Sequence, residues 1–448
     1  MSKEYFRRNI DRELQKWKTS SIRKPLLLRG ARQVGKSSTV REFGKQFDYF
    51  LEINFEKKEH NDAKALLAKS SSPKQLCDEF STIYDTPIIP GRTLLFFDEI
   101  QSCISAISAL RFFYEDYPEL HVIAAGSLLE FALQEIPSYG VGRIRSLFMY
   151  PFSFDEYLRA LKHDLLADAL QKASPENPFS DAVHNRCLHE LLRFMYIGGM
   201  PQVVAVYANG GSLLDCQQVL DDLTLTLYDD FSKYKVRVPT SRLRDVFASV
   251  IHQTGEKFTY SHASQDSNHW QIKESVNLLE LAGIIHPITH TSANGLPLAA
   301  EMKSKHRKFL IFDTGVYQRF LRLDLGQLLT AENLEQVNKG ALAELFVGLE
   351  LLKSAPSNFP IQLYYWQREK PGSSAEVDYV VQCNTDIVPL EVKSGTKGSM
   401  QSMFQFISEK GYEYGIRCSK ENFGIYQNVK IFPLYAASQI MKIRHSVI

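Results

Sequence analysis

The stretch Gly30-Ala31-Arg32-Gln33-Val34-Gly35-Lys36-Ser37 (GARQVGKS) decides the fold of the first part of this chain. A short apolar run, PLLLR at 25–29, precedes it, and a helix-like pattern from about Lys36 to Phe47 follows. G-x-x-x-x-G-K-[ST] between a strand and a helix is the spacing of a phosphate-cradling loop. Gly30 and Gly35 let backbone amides curl around phosphate oxygens, and the helix N-terminus adds its positive end. Lys36 reaches the terminal phosphates, and the Ser37 hydroxyl can ligate Mg²⁺. The candidate ATP-binding residues are therefore Gly30, Ala31, Arg32, Gln33, Val34, Gly35, Lys36, Ser37 and Ser38. A chance glycine turn would lack this strand-before, helix-after context.

Working outward, strands are expected at 49–54 (YFLEIN), 93–97 (TLLFF) and 121–125 (HVIAA), with helical stretches at about 5–18, 60–85 and 103–117. Strands alternating with helices of this length predict a parallel sheet covered on both faces. LLFFDEIQ, residues 94–101, places two carboxylates at the end of a buried strand, where open parallel sheets bind ligands. Asp98 is the candidate Mg²⁺ residue. Glu99 is the candidate catalytic base that orients and deprotonates the attacking water. VIAAGS ends at Ser127, a hydroxyl at a strand tip, which fits either a γ-phosphate sensor or a cap on the helix beginning LLEFAL. In the loop SYGVGRIRSLFMYPFSF, Arg143 is a candidate to stabilise transition-state charge, its own or a neighbouring subunit's; the alternative is a salt bridge within its own domain.

The chain has 448 residues, 44% hydrophobic and 23% charged, which excludes a fibre or a mostly disordered chain. Lys+Arg is 52 against Asp+Glu 51, so the balance itself points to no polyanionic partner. Basic density is local. Residues 1–45 carry 13 Lys/Arg against 4 Asp/Glu, including Arg7, Arg8, Arg12, Lys16 and Lys18, and KSKHRK fills 303–308. These two stretches are the candidate DNA contacts. The six cysteines include no C-x-x-C pair, which suits a reducing compartment. The N-terminus is too charged for a secretory leader, and no apolar run reaches the length of a membrane span. A soluble, cytoplasmic protein is the expectation.

From Ser153 the pattern turns helical, and 151–235 reads as all-helical. Helices at about 240–252 and 269–282, then a hairpin around Asn294-Gly295, resemble a winged-helix module. The last part has a helix at about 338–354, strands at 361–366, 376–382 and 387–393, a helix at 399–409, and strands near 413–417 and 429–434. The histidines His252, His262, His269, His286, His290 and His306 form no metal-ligand pair.

GARQVGKS, LLFFDEIQ, AAGS, the GR-x-R loop and YPFSFDEYL resemble a large family of prokaryotic AAA-type ATPases that carry a C-terminal domain of unknown function. IGGMPQVV (197–204), KFLIFDTGVYQRFL (308–321) and the closing EVDYVV…PLEVKSG extend the resemblance over nearly the whole chain. Ser37-Ser38 stands where Thr-Thr is more usual; Ser37 keeps the hydroxyl. The resemblance implies an α/β chain with four parts. These are an ATPase core (1–150), a helical lid (151–235), a winged-helix segment (236–325) and a restriction-endonuclease-like domain (326–448).

In the last part, Asp378 is followed by Glu391 and Lys393, thirteen and fifteen residues on, matching the nuclease pattern PD-(D/E)-x-K. Residues i and i+2 of a strand share a face, so Glu391 and Lys393 point the same way. Asp378 can join Glu391 around a divalent cation while Lys393 positions water. Glu344, on the helix GALAELFVGLELL, would complete the set as the helical acid does in that superfamily. The alternative is a salt-bridged acid–lysine cluster in a fold that has lost activity; Glu376, two residues before Asp378 on the same face, alternatively bonds within the sheet. The combined expectation is a Mg²⁺-dependent ATPase, open to oligomerisation, coupled to a nuclease-like domain. Its rivals are an ATP-regulated DNA nuclease and a nucleotide-gated interaction switch.

Overall fold

The structure, a computed structural model, describes residues 4–69, 72–135, 142–234, 237–264, 266–324, 339–370, 372–396 and 398–442. Ser70, Ser71 and residues 138–141 of the Arg143 loop lie outside these, as does position 338 of the long C-terminal helix. The chain forms two compact units. One comprises the chain up to Pro151 with Leu281–Gly283 and Pro356–Pro360; the other holds the remainder.

The first unit runs α1 (Ile10–Lys18), β1 (Leu26–Arg29), α2 (Lys36–Gly44), β2 (Tyr49–Asn54), α3 (Asn61–Lys69) and α4 (Pro73–Ile83). It continues with β3 (Thr93–Asp98), α5 (Ile104–Asp116), β4 (His121–Ala125), α6 (Leu129–Glu135) and β5 (Arg145–Phe148). The five strands are all parallel, in the order β2-β3-β4-β1-β5. Strands β3 and β4 are buried along their whole length, as central strands covered on both faces must be. Leu27, Ile53, Leu95, Phe97, Val122 and Ala124 form the sheet side of one core, against Phe80 of α4 and Phe113 of α5. On α1, Ile10, Leu14 and Trp17 recur at helical spacing and are the buried residues.

Strand β5 differs from the sequence reading, which took that region as loop. RSLF buries only Leu147 fully, so neither an apolar run nor clean alternation marks it. Its pairing along one edge of β1, from Leu26↔Arg145 to Arg29↔Phe148, creates the strand.

The second unit begins with helices, as expected: α7 (Phe154–Ala160), α8 (Asp164–Leu170), α9 (Asp181–Ile197), α10 (Pro201–Ala208), α11 (Leu213–Asp230), α12 (Thr240–His252) and α13 (His269–Leu281). Next come β6 (Ile285–Thr291), β7 (Met302–Ile311), α14 (Thr314–Phe320), α15 (Lys339–Ser354), β8 (Leu363–Gln367), β9 (Glu376–Cys383) and β10 (Asp386–Val392). The unit closes with α16 (Gln401–Lys410), β11 (Gly415–Ser419), β12 (Gly424–Tyr426) and β13 (Val429–Pro433). The β6–β7 hairpin does not stand alone as a wing. Strand β6 also pairs in parallel with β8, and one eight-stranded sheet results, ordered β12-β13-β11-β10-β9-β8-β6-β7. The boundary expected at 325/326 therefore does not separate two sheets. Ile288, His290 and Thr291 of β6 are buried, so the hairpin needs cover that a free wing would not have.

The sequence motifs IGGMP and FDTG meet inside this unit. Asp313 is 1% exposed and accepts hydrogen bonds from Gly199 N (2.6 Å) and from Val316 N (3.0 Å), the latter capping α14. Gly198 has φ +73°, and a Cβ there would lie 2.2 Å from Asp313 Oδ1, so only glycine fits. Phe152 and Phe154 of the YPFSF motif are held in the same unit: Lys353 donates to Phe152 O (2.9 Å), and Glu350 accepts from Phe154 N. Asp313→Ala removes the acceptor of the Gly199, Gly315 and Val316 amides. It should destabilise the fold by about 2–4 kcal/mol, whereas Asp313→Asn, which keeps an acceptor, should lose less; urea unfolding of both variants measures this.

Candidate active site

The glycine-rich loop leaves β1 at Gly30, whose φ is +138°. A Cβ on Gly30 would meet Met149 O at 2.1 Å, so both conformation and space demand glycine. Gly35 is left-handed (φ 99°) at the N-cap of the nine-residue α2. From below, Arg8 is 5% exposed and ties the loop to its surroundings, donating to Val34 O (3.1 Å) and Tyr150 O (2.8 Å). Arg8 is thus spent inside the unit and drops out of the expected set of DNA contacts.

Lys36 opens α2 and is 8% exposed. Its Nζ donates to Gly30 O (2.8 Å) and Ala31 O (2.7 Å). Burial lowers its pKa to about 8, although Glu99 and Asp98 oppose that drop. A lysine with a depressed folded-state pKa penalises the fold below that value, and the penalty fades as pH rises from about 8 towards the unfolded value of about 10.4. Lys36→Met should therefore stabilise the nucleotide-free protein at neutral pH by about 1–3 kcal/mol, the two lost carbonyl bonds offsetting part of the gain. Urea titrations should show that margin shrinking at about pH 10.

Ser37 Oγ donates to Asp98 Oδ1 at 2.8 Å, bringing together the hydroxyl of the loop and the carboxylate of β3. Asn54 Nδ2 donates to Asp98 Oδ2 at 3.0 Å, and Arg41 lies 3.7 Å from the same oxygen. Burial raises the Asp98 pKa, the Ser37 bond works against it, and Glu99 adds to it. Sequence reasoning missed Asn54 and Arg41. Strand pairing holds the signal for the first: β2 and β3 align six residues on six, and Asn54↔Asp98 is the last pair. Arg41, one turn into α2, is held by Glu52 of β2 through bonds of 2.8 and 2.7 Å.

Glu99 follows directly, in the left-handed region at φ 50°. Its Oε2 accepts from Gln101 Nε2 at 2.7 Å, with Ser127 Oγ at 3.5 Å. Strand β4, which leads to Ser127, lies between β1 and β3, so the loop, the acidic pair and Ser127 share the carboxyl edge of one sheet. Ser127 is brought beside Glu99. Arg143 is not brought there: it forms an ion pair with Glu115 of α5, the within-domain alternative.

The donor set fits a Mg²⁺–nucleotide. A hydroxyl and a carboxylate converge, an ammonium sits at a helix N-terminus, and Gly30 and Gly35 give the loop the positive φ of a phosphate cradle. Residues 22–158 match the family model of an AAA domain. The first unit is built on an AAA-type domain. Two further models match the chain: a domain of unknown function (DUF8612) at residues 188–327 and a second (DUF4143) at 339–437. No curated protein matches the chain significantly. Among solved structures, the Walker-type ATPase PABY2304 of Pyrococcus abyssi is similar at 17% identity, covering 72% of this chain and 97% of its own, with a TM-score of 0.46. The Orc1 protein of Aeropyrum pernix, in complex with DNA, is similar at 12% identity, covering 73% and 95%, with a TM-score of 0.31.

The acidic cluster of the second unit assembles around a residue the sequence placed elsewhere. Lys308 of β7, assigned to the basic wing, is 2% exposed and forms an ion pair with Glu376. Burial works against its charge, but Glu344, Glu376 and Asp378 around it prevail and raise its pKa. Asp378 accepts from Val392 N at 2.7 Å, and Lys393 forms an ion pair with Glu391. Burial raises the pKa of Glu344, Asp378 and Glu391, and Asp378 adds to the rise at Glu344 as Glu391 does at Asp378. Among the described residues, no group of three or more His, Cys, Asp and Glu is arranged to hold a metal ion. The rest of the basic stretch is also engaged: Lys303 pairs with Glu369 and Arg307 with Glu280, leaving Lys305 exposed. No described helix is long and apolar enough to cross a membrane.

Proposed function

We propose that the chain binds Mg²⁺–ATP at the AAA domain and hydrolyses it. The observation that carries this is the 2.8 Å bond between Ser37 Oγ and Asp98 Oδ1, because a loop hydroxyl and a strand carboxylate meet where a nucleotide-bound Mg²⁺ is held. Gly30 to Ser38 form the phosphate cradle. Lys36 exchanges its two carbonyl partners for phosphate oxygens. Ser37 and Asp98 hold Mg²⁺, which supplies charge neutralisation on the phosphates. Glu99 orients and deprotonates the attacking water, and Ser127 reports on the γ-phosphate side. Arg143 leaves its pair with Glu115 only if a second subunit's nucleotide competes for it.

In the second unit, the salt-bridged reading of Asp378, Glu391 and Lys393 is favoured over a working nuclease. The ammonium of Lys308 already stands among the acids that a divalent cation would need. The function proposed for the whole chain is an ATPase with an uncatalytic C-terminal sheet domain.

Binding of a fluorescent ATP analogue tests the site. The wild-type chain should bind with Mg²⁺ and lose most of its affinity when Mg²⁺ is chelated. Asp98→Ala should bind with little Mg²⁺ dependence. Equal binding with and without Mg²⁺ in the wild type would count against the assignment of Ser37 and Asp98.

A further inference from the structure

We propose that Gln101 is a positioning residue that fixes the Glu99 carboxylate for water activation, and that residue 126 is glycine because the missing Cβ is the space Gln101 occupies. The proposal rests on the hydrolysis reading above and deepens it. Nothing in the motif spacing assigned a role to either residue.

Gln101 lies two residues after Glu99, on the 3-10 turn Ile100–Ser102, which is closed by Ser102 N donating to Glu99 O at 3.0 Å. Its Nε2 donates to Glu99 Oε2 at 2.7 Å. The other end of the carboxamide is costly: Oε1 is buried and, among the described residues, has no hydrogen-bond partner. A glutamine present only to fill space would satisfy both ends or turn one to water. The amide cannot be reversed to relieve this, because Oε1 would then face a carboxylate oxygen.

Gly126 leaves the room that the carboxamide fills. Its φ is not positive, so the backbone does not call for glycine. A Cβ at 126 would fall 2.1 Å from Gln101 Oε1, 3.3 Å from its Cδ and 3.6 Å from Ile100 Cγ2. The glycine of AAGS therefore seats the glutamine of DEIQ, and the ends of β3 and β4 are matched through this contact. Ser127, the next residue, approaches the same Oε2 at 3.5 Å. Both contacts fall on one carboxylate oxygen, which pins the group by one corner. A base held this way keeps one orientation towards the nucleophile, and misplacement by an ångström is enough to slow the chemical step.

The test compares steady-state ATP hydrolysis and nucleotide affinity in the full chain for wild type, Gln101→Met, Gly126→Ala, Glu99→Gln and the double variant Glu99→Gln/Gln101→Met. Methionine keeps the volume of glutamine and removes the donor, so folding survives the change. Gln101→Met and Gly126→Ala should each lower kcat about 10- to 100-fold, with KM and analogue affinity within about twofold of wild type. The double variant should be no slower than Glu99→Gln alone, because Gln101 acts through Glu99. Wild-type kcat in Gln101→Met, a loss confined to KM, or a double variant slowed by the full Gln101 factor would each overturn the proposal. If the wild type binds the analogue but never releases phosphate, the hydrolysis reading fails and this proposal with it. Turnover by the wild type that Glu99→Gln abolishes and Gln101→Met leaves intact overturns the proposal alone.

Discussion

Glu99→Gln should leave Mg²⁺–ATP binding intact and lower phosphate release by about 10²- to 10⁴-fold, the usual worth of a positioned general base. The phosphate cradle is made by Gly30 to Ser38 and the metal set by Ser37 and Asp98, so none of the binding groups is touched. The variant keeps size and shape and removes the charge that accepts the water's proton. Gln101 Nε2 and Ser127 Oγ both donate towards Oε2, and an amide at position 99 can still present an oxygen there. The geometry of the turn should survive. Lys36→Ala should behave differently. It removes the group that counters phosphate charge, so both affinity and turnover should fall. Fluorescent-analogue titration beside phosphate release separates the two, and equal loss of binding in both variants would remove Glu99 from the base role.

Lys308→Met should destabilise the protein by about 2–4 kcal/mol at alkaline pH, since it takes the neighbouring ammonium from Glu344, Glu376 and Asp378, while Glu391 keeps Lys393. The sign with pH follows from the direction of the shifts. Glu344, Asp378 and Glu391 have pKa values raised by burial, and losing the ammonium raises them further. A carboxyl with a raised folded-state pKa contributes its stability at low pH and loses it as pH climbs through that value. The deficit of Lys308→Met should therefore be largest at about pH 9 and much smaller at about pH 5.5, where the acids hold protons. Urea unfolding at both values measures it. A deficit that grows towards acid would contradict the arrangement of charges. Glu376→Gln, which removes only the ion-pair partner at the rim, should cost less than Lys308→Met.

What could be read in the sequence was what depends on neighbours along the chain. GARQVGKS carries its own instructions: Gly30 and Gly35 sit where positive φ and close backbone approach are needed, and α2 starts at Lys36. The strand at 93–97 announces itself as a buried run, with Asp98 and Glu99 at its end, and the strand at 49–54 buries only Leu51 and Ile53. What depends on partners across the fold was not legible. Arg8 and Lys308 were counted as surface cations because basic residues cluster around them, yet both are buried and bonded to carbonyls or acids. Strand β7 runs from exposed at Met302–Lys305 to buried at Lys308–Ile311, and composition alone does not reveal that change. Asn54 needed the strand register, Gln101 needed Gly126 as its neighbour in space, and the continuity of β6 with β8 needed a parallel pairing between residues more than seventy positions apart. The Arg143 loop carries two readings, an arginine reaching out and a salt bridge within its own domain; the ion pair with Glu115 is the second, though no spacing rule names that partner.

Phosphate release by the purified full chain, with Mg²⁺ and with chelator, in wild type beside Lys36→Ala, is the most direct test of ATP hydrolysis at this site. Mg²⁺-dependent turnover in the wild type, reduced to background in Lys36→Ala, is the predicted result. Release at background in the wild type, or undiminished release in Lys36→Ala, would contradict it.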